Sequence, residues 1–286
     1  MEEIIVTSFY QFSDISEVRE EMQKKLAAIE EIKGLIHLTP EGINGMASGT
    51  AEKLDELRTV LAGYPHFDEI DYKDSVCAEH PFPRWKVELK EQTIFYKEGY
   101  VPNGENHSHI SPEKWHELLT GEEPVTVLDT RNYYETRVGK FRQAIDPDIK
   151  VFTEFSEYLD NCDLPKDQTT LIYCTGGIRC EKAILEMEEK GFEKVYQLEG
   201  GILRYLEKYP NQEFDGECFV FDSRVAVDQE LAPSQKYWLC PHCGEPGDLK
   251  MDCARCGEEA LICKSCAEEK PVCSKNCAYH YKLQKK

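Results

Sequence analysis

One cysteine in the second half of the chain stands where a strand is predicted to turn into a helix. Residues 169–172 have the pattern of a short buried strand, and a helical pattern follows Cys174. Unpaired amides and the helix dipole stabilise a thiolate at such a junction. Gly176 and Gly177 let the loop curl, and Arg179 adds a fixed positive charge. The pattern predicts an anion cradle that holds a nucleophilic sulfur.

The competing interpretation of this loop is structural. A lone cysteine at the end of a strand is more commonly a packing residue. The glycine pair and the arginine favour the reactive interpretation of Cys174. Cys180 has the same two interpretations, since it either assists Cys174 or packs inward from the helix.

Eight of the thirteen cysteines form four closely spaced pairs after residue 239. The first residues lack the basic start and apolar run of a signal peptide, so such pairs indicate metal ligands rather than disulfides. Eight thiolates suffice for two structural zinc ions, and a redox role or an iron–sulfur cluster is the alternative. The spacing leaves the grouping of the pairs open, and His242 or His280 could replace one ligand. The predicted ligands are Cys240, Cys243, Cys253, Cys256, Cys263, Cys266, Cys273 and Cys277.

Composition restricts the class of protein. A formal net charge of −20 over 286 residues argues against a protein that coats nucleic acid non-specifically, although it leaves room for a local basic cleft. No uncharged apolar stretch approaches the roughly 20 residues of a membrane span. We therefore expect a cytoplasmic protein with no membrane or DNA partner. The chain has no G-x-G-x-x-G fingerprint, so the sequence predicts no organic redox cofactor.

The first hundred residues predict a β-α-β-β-α-β order, which is the ferredoxin-like or acylphosphatase-like plan. Asp14 and Glu17 predict a helix cap, and that helix should run to about Ile32. Thr50 should cap the second helix, whose leucines recur at helical spacing. The strands are expected at residues 4–10, 35–38 and 45–47, near 69–72, and near 86–96.

Three cations on the last of these strands could face RNA. Arg84, Lys86 and Lys90 share one face of a strand, with Glu88 between them and Trp85 adjacent. Such a face could hold a phosphate backbone beside a stacking aromatic ring. A solvated strand face explains the pattern equally well.

Strands and helices alternate from residue 125 onwards. This alternation predicts a parallel sheet covered by helices on both faces, and ligands gather at the carboxyl ends of its strands. Cys174 lies at one such end, and Gly200 follows another predicted strand. The predicted divisions are 1–100, 110–215, a connecting segment 216–235, and a cysteine-rich segment 236–286.

The cysteine loop resembles that of the rhodanese family, in which such a cysteine carries a persulfide. A motif that precedes the loop also looks like that family. It consists of Val127-Leu128-Asp129-Thr130-Arg131, followed by Gly139 and Ala144. Several further short sequence motifs, which occur in the same order, resemble those of the tRNA uridine(34) hydroxylase family along nearly all of residues 1–227. They are residues 40–45, 84–87, 129–132, 174–183, 198–202 and 216–225.

The resemblance implies an acylphosphatase-like α+β domain, a rhodanese-like parallel α/β domain and a cysteine-bearing tail. It also implies oxygen-dependent conversion of the wobble uridine in a tRNA anticodon loop to 5-hydroxyuridine, with an unknown electron donor. Four cysteine pairs in the tail are more than is usual in that family. The expected catalytic residues are Cys174, Arg179 and Cys180. The expected substrate-binding residues are Arg84, Lys86, Lys90, Asp129, Arg131, Gly176, Gly177, Lys182 and Gly200.

Two other functions compete with this one. A sulfurtransferase would use Cys174 as a persulfide carrier, with Cys180 resolving the intermediate. A non-catalytic zinc-containing protein would use the rhodanese-like domain only to dock partners. The presence of the nucleophile argues against this last interpretation.

Overall fold

The computed structural model describes residues 3–67, 70–103 and 108–284. They form an N-terminal α+β domain, a central α/β domain and a cysteine-rich C-terminal segment. Among the helices in these ranges, none has the length and apolar character needed to cross a bilayer. The predicted divisions near residues 100, 215 and 235 stay predictions.

A single mixed sheet with two helices on one face builds the N-terminal domain. The strand order is β4-β1-β3-β2-β5, antiparallel throughout except for the parallel pair β2 and β5. Leucines of α2 pack with α1 against the sheet in one apolar core. The elements are β1 (Ile4–Phe12), α1 (Arg19–Ala27), β2 (Lys33–Thr39), β3 (Gly42–Gly49), α2 (Ala51–Ala62), β4 (Lys73–Cys77) and β5 (Trp85–Leu89).

The element order was predicted correctly, whereas several boundaries differ, including the end of α1, which falls at Ala27 rather than near Ile32. Asp14 accepts hydrogen bonds from its near neighbour Ser16, and α1 begins only at Arg19. The fourth strand begins at Lys73 rather than near Glu69, which lies outside the described residues. The fifth strand ends at Leu89, seven residues before the predicted end.

A parallel sheet forms the centre of the second domain, in the order β6-β11-β10-β7-β9. Helices α3 and α7 cover one face, and α5 and α6 cover the other. The elements are β6 (His109–Ile110), α3 (Pro112–Thr120), β7 (Thr126–Asp129), α4 (Tyr133–Thr136), β8 (Gly139–Phe141), β9 (Ala144–Ile145), α5 (Phe155–Asn161), β10 (Thr170–Tyr173), α6 (Ile178–Glu189), β11 (Val195–Leu198) and α7 (Gly201–Lys208).

The chain after α7 returns to the central domain before it enters the cysteine-rich segment. Strand β12 pairs with β8. Strands β13 and β14 pair with each other, and their apolar residues pack against Val138. Two further hairpins and two helices follow. The elements are β12 (Phe214–Gly216), β13 (Cys218–Phe219), β14 (Ala226–Val227), β15 (Trp238–Leu239), β16 (Pro246–Gly247), β17 (Leu249–Asp252), β18 (Glu259–Ile262), α8 (Lys264–Glu269) and α9 (Lys275–Gln284).

A buried ion pair joins the two larger domains. Lys182 of α6 donates to both carboxylate oxygens of Glu41, at 2.8 and 3.0 Å. The Lys182 side chain is 1% exposed and that of Glu41 is 7% exposed. The amide of Thr93 also donates to Glu41. Two charges so far from water require each other, so this pair fixes how the domains meet.

We expect Lys182→Ala to lower the free energy of unfolding by about 3–5 kcal/mol, because Glu41 would stay buried without its counter-charge. Urea denaturation followed by circular dichroism measures this loss. Lys114→Ala is the control, since Lys114 pairs with Glu117 at the surface and should contribute less than about 1 kcal/mol. Equal losses in the two variants would contradict the role given to Lys182.

Candidate functional site

The loop between β10 and α6 curls around the sulfur of Cys174. The amide of Gly177 donates to Sγ at 3.1 Å. Gly177 has a φ of 104°, a left-handed conformation that favours glycine. The start of α7 fixes the loop from behind, because the amide of Ile202 donates to the carbonyl of Cys174 at 3.0 Å. A Cβ on Gly201 would lie 2.6 Å from that carbonyl oxygen, so glycine is required there as well.

The surroundings of Cys174 stabilise the thiolate. Burial opposes ionisation, yet the pKa of Cys174 falls to about 6. The opposing contributions are the hydrogen bond from Cys180, the charge of Arg179, and the amides of Arg179 and Gly177. Burial and the adjacent Cys174 raise the pKa of Cys180, so it stays a thiol and acts as the donor. The sulfur of Cys174 is therefore largely ionised at neutral pH.

Arg179 supplies charge but is not free to move. Its two terminal nitrogens donate to the two carboxylate oxygens of Glu135, at 2.6 and 2.7 Å. Both side chains are almost fully buried. Glu135 also caps α4, since its side chain accepts from the amide of Asn132. The guanidinium is thus a fixed charge beside the sulfur.

Cys174 opens into a large cavity between the N-terminal and central domains. The cavity has a volume of about 920 Å³. The sheet face opposite the two helices of the N-terminal domain lines one side, including Tyr10, Asn44 and Met46. The loop of Cys174 and the segment after β13 line the other side. The site is therefore an interdomain cavity with a thiolate in its wall.

The cavity also carries exposed apolar side chains, which are unusual on a charged surface. Phe95 is 74% exposed, Phe221 is 54% exposed and Val151 is 51% exposed, and all three line the cavity. The Phe221 ring packs edge-on against Phe219 and lies 5.8 Å from the Arg179 guanidinium. Exposed rings beside an anion-binding loop suit a flat ligand that carries negative charge.

The eight C-terminal cysteines form two interleaved clusters. Within each cluster the four sulfur atoms lie within 4.8 Å of one another. The sulfur atoms of Cys243 and Cys263 are 3.6 Å apart, and those of Cys256 and Cys277 are 3.8 Å apart. A tetrahedron with Zn–S bonds of about 2.3 Å has edges of about 3.8 Å, so the donors fit. The clusters are Cys240, Cys243, Cys263 and Cys266, and Cys253, Cys256, Cys273 and Cys277.

The structure answers the question of grouping that the spacing left open. The first cysteine pair joins the third, and the second joins the fourth. His242 contacts the carbonyl of Val272 at 2.7 Å instead of joining a cluster. His280 is likewise in neither cluster of the described residues. Two clusters able to hold metal ions are therefore present, as predicted.

Three family models match successive parts of the chain. They are the UPF0176 acylphosphatase like domain over residues 4–93, the Rhodanese-like domain over 111–208 and the Rhodanase C-terminal model over 215–278. A solution structure of a Rhodanese-like domain from Anabaena sp. is 21% identical, covers 38% of this chain and 80% of its own, and has a TM-score of 0.33. The predicted fold class, with two different α/β units and a cysteine-rich tail, is confirmed.

Two curated relatives decide the family. A protein of Bdellovibrio bacteriovorus named tRNA uridine(34) hydroxylase is 43% identical over 96% of this chain and 80% of its own length. A protein of Picosynechococcus sp. with the same name is 41% identical over 87% of this chain and 85% of its own. The chain belongs to the tRNA uridine(34) hydroxylase family. The resemblance inferred from its short sequence motifs is confirmed.

In this member of the tRNA uridine(34) hydroxylase family, three of the expected substrate-binding residues line the cavity, namely Arg84, Lys86 and Gly176. Lys90 is half exposed and is not among the lining residues. Both Lys86 and Lys90 pair with Glu88, and their hydrogen bonds lower the pKa of Glu88 to about 2. Part of the predicted basic face is thus neutralised within the strand.

Three other expected substrate-binding residues face the protein interior in this structure. Asp129 and Arg131 are fully buried and pair with each other, and Arg131 also donates to the carbonyl of Gly139. Lys182 faces Glu41, as described above. Gly200, with a φ of 68°, caps α7 in a left-handed conformation that favours glycine. These residues hold the walls of the site in place.

Several lining residues were not among the sequence predictions. Tyr10, Lys73 and Phe95 come from segments with no motif of their own, whereas Phe221 lies within the family-like stretch at residues 216–225. Arg224 also lines the cavity, and it lies inside the same stretch. Burial lowers the pKa of Lys73 although Asp71 is 3.0 Å away. A signal for the aromatic residues would have been their solvent exposure, which a single sequence does not reveal.

We expect alkylation of Cys174 by iodoacetamide to rise with pH through a midpoint near 6, because only the thiolate reacts. Cys180→Ala should move that midpoint to higher pH, since it removes a hydrogen bond that stabilises the thiolate. Mass spectrometry of the alkylated peptide measures both curves. Cys77→Ala, at the last position of β4 and not among the residues that line the cavity, should leave the midpoint in place. If Cys174 of the unaltered chain reacts with the ordinary thiol pKa, the loop does not stabilise the thiolate as described.

Proposed function

We propose that this chain hydroxylates carbon 5 of the wobble uridine of tRNA, with Cys174 as the covalent nucleophile. The observation that carries the proposal is the stabilised thiolate, which opens into a cavity between two domains. The names of the two relatives at 41–43% identity supply the substrate and the reaction class. An ionised sulfur explains how a protein without a strong base could attack an unactivated ring.

The chemistry follows from the electronic structure of uracil. Carbon 5 is a poor nucleophile until a thiolate adds to carbon 6, which creates an enolate across carbons 4 and 5. Carbon 5 then attacks an electrophilic oxygen and forms the C–O bond. Loss of the carbon 5 proton and expulsion of the thiolate restore the ring. Arg179 and the loop amides would stabilise the thiolate before addition and the uracil oxyanion after it.

The oxidant in this proposal is molecular oxygen. One oxygen atom enters the product and the other leaves as water, which consumes two electrons and two protons from a cellular reductant. The sequence contains no dinucleotide fingerprint, so the expectation of no organic cofactor stays a prediction. The identity of the reductant is not part of the proposal.

The RNA would enter as an unstacked loop. An anticodon loop presents its bases at low cost, and a base that leaves its stack gains contact with aromatic rings. Arg84 and Lys86 could contact phosphates, while Phe95 and Phe221 offer stacking surfaces in the same cavity. The tRNA anticodon loop is thus the proposed partner.

We assign zinc to the two cysteine clusters in this proposal. Cys263 begins α8, and most of the clustered sulfurs are buried beside small apolar residues. Such closed sets of four thiolates are typical of structural zinc sites. When bound, zinc would cross-link the two hairpins and so stabilise a segment with a very small apolar core.

We expect Cys174→Ser to abolish formation of 5-hydroxyuridine, because the hydroxyl group at neutral pH lacks the charge of the thiolate. Nucleoside mass spectrometry of tRNA measures this in cells that lack the gene and express the variant. Cys77→Ser serves as the control for loss of a cysteine that does not line the cavity, and it should be fully active. Loss of 2-thiouridine with hydroxylation intact would instead favour the sulfurtransferase, and normal tRNA in both respects would favour a docking protein.

Metal analysis tests the zinc assignment and the interleaved grouping together. The unaltered chain should contain two zinc ions per chain, because each closed set of four thiolates holds one ion. The double variant Cys243→Ser/Cys263→Ser removes ligands from one cluster and should keep one ion. Cys243→Ser/Cys253→Ser removes one ligand from each cluster and should lose both. Sequential grouping would reverse the two results, and a chain without zinc would contradict the assignment.

A further inference from the structure

A largely buried carboxylate beside the cavity has no part in the reaction described so far. Glu181 lies in the first turn of α6, and its side chain is 12% exposed. One of its oxygens, Oε1, accepts from the Tyr10 hydroxyl at 2.8 Å and from the Gln197 amide at 2.8 Å. His109 Nε2 lies 3.0 Å from the same oxygen. Three side chains from three strands therefore converge on one carboxylate oxygen.

The partners of Glu181 differ from those of the other buried glutamates near α6. Glu41, Glu135 and Glu186 each pair with a lysine or an arginine. Within the described residues, Glu181 has histidine as its only cationic partner. A carboxylate that serves only packing or domain contact is better satisfied by a permanent cation. A histidine partner, whose ring nitrogens can accept and donate a proton, suits proton transfer instead.

The two ends of this hydrogen-bonded group lie in different cavities. Tyr10 lines the large cavity, and a Cβ built on Gly177 would lie 2.7 Å from the Tyr10 hydroxyl oxygen. This oxygen therefore lies beside the loop that holds Cys174. At the other end, His109, Glu181 and Gln197 line a second cavity of about 20 Å³. That volume suffices for one water molecule.

The groups around Tyr10 determine how a proton can pass through its hydroxyl. Burial and Glu181 raise the pKa of Tyr10, so Tyr10 stays protonated at rest. The Lys73 ammonium lies 5.2 Å from the centre of the Tyr10 ring. Cys174 and Cys180 are the other titratable groups that influence Tyr10. Tyr10 can accept a proton from the cavity only while it gives its own proton to Glu181.

We propose that Tyr10, Glu181 and His109 form a path that carries the carbon 5 proton of the substrate from the cavity to water. This inference rests on the proposed function, because the proton in question is released when the C6–S bond breaks. The C5–H electron pair becomes the C5–C6 double bond, and the C6–S pair returns to Cys174. The proton passes to Tyr10, directly or through one water, as the Tyr10 proton passes to Glu181 and then to His109. No oxidant or reductant enters this step.

Exchange of the carbon 5 hydrogen tests the path without the oxidation. Reversible addition of Cys174 to carbon 6 makes carbon 5 exchange its hydrogen with solvent, even without oxygen. An anticodon stem-loop RNA with tritium on carbon 5 of the wobble uridine should therefore release tritium to water under anaerobic conditions. We expect His109→Ala and Tyr10→Phe each to slow this release by about a hundredfold, the usual contribution of a positioned proton-transfer group.

Imidazole distinguishes proton transfer from a structural role of the histidine. Added imidazole should restore release by His109→Ala in proportion to its concentration, because it can occupy the vacated space and carry the proton. His109→Gln, which keeps a hydrogen-bond donor for Glu181, should stay slow. Tyr96→Phe is the matched control, since buried Tyr96 also donates to a glutamate of α6 but does not line the cavity. It should release tritium at the rate of the unaltered chain.

Each remaining outcome contradicts a different statement. Unchanged release by His109→Ala and Tyr10→Phe would overturn the path and leave the proposed function intact. Slow release that imidazole does not restore would also overturn it, because the histidine would then be only a structural residue. Absence of release from the unaltered chain would overturn the addition of Cys174 to carbon 6, and the path with it.

Discussion

The ionisation of one buried sulfur depends on the polar groups that α6 and its preceding loop place around it. Water would stabilise a thiolate at no cost in structure, but Cys174 is 1% exposed. The protein replaces that water with the amide of Gly177, the thiol of Cys180 and the charge of Arg179. Each of these groups keeps its place only if the first turn of α6 stays fixed. The reactivity of the site is therefore a consequence of helix position.

Four consecutive residues of that turn fix it in four directions. Arg179 pairs with Glu135 of the central domain, and Cys180 lies 3.6 Å from the Thr130 hydroxyl. Glu181 accepts from Tyr10, and Lys182 pairs with Glu41 of the N-terminal domain. Successive residues on a helix point about 100° apart, so one turn can contact every neighbouring element. The turn that holds the sulfur is thus also the main polar joint between the two domains.

This arrangement explains which parts of the site the sequence could predict. The strand, the glycine pair and the helix of the cysteine loop are local features, and the strand predicted at residues 169–172 agrees with β10 to within one residue. Lys182 was expected to contact substrate as one of the cations near the predicted cleft. Its actual partner, Glu41, lies 141 positions away in the chain, and no local pattern indicates such a pairing.

The same limit applies to the cysteine-rich segment and to the cavity. Spacing identified eight ligands, but interleaved and sequential groupings use the same spacing, so only the folded hairpins distinguish them. Tyr10 and Phe221 line the same cavity although they lie more than two hundred residues apart in the chain. Their roles depend on which face of a strand or loop is exposed after the domains meet. Tertiary contact, rather than local propensity, determines both features.

An acidic chain can bind a tRNA loop if charge contributes little to the affinity. Most cations in the cavity already have partners, since Lys73, Arg179 and Arg224 each pair with a carboxylate of the protein. Arg84 is the lining cation without an ion pair among the residues that the structure describes. Each phosphate contact would add only one counterion to the salt dependence. Stacking on exposed rings then has to supply much of the binding energy, and stacking is compatible with a net charge of −20.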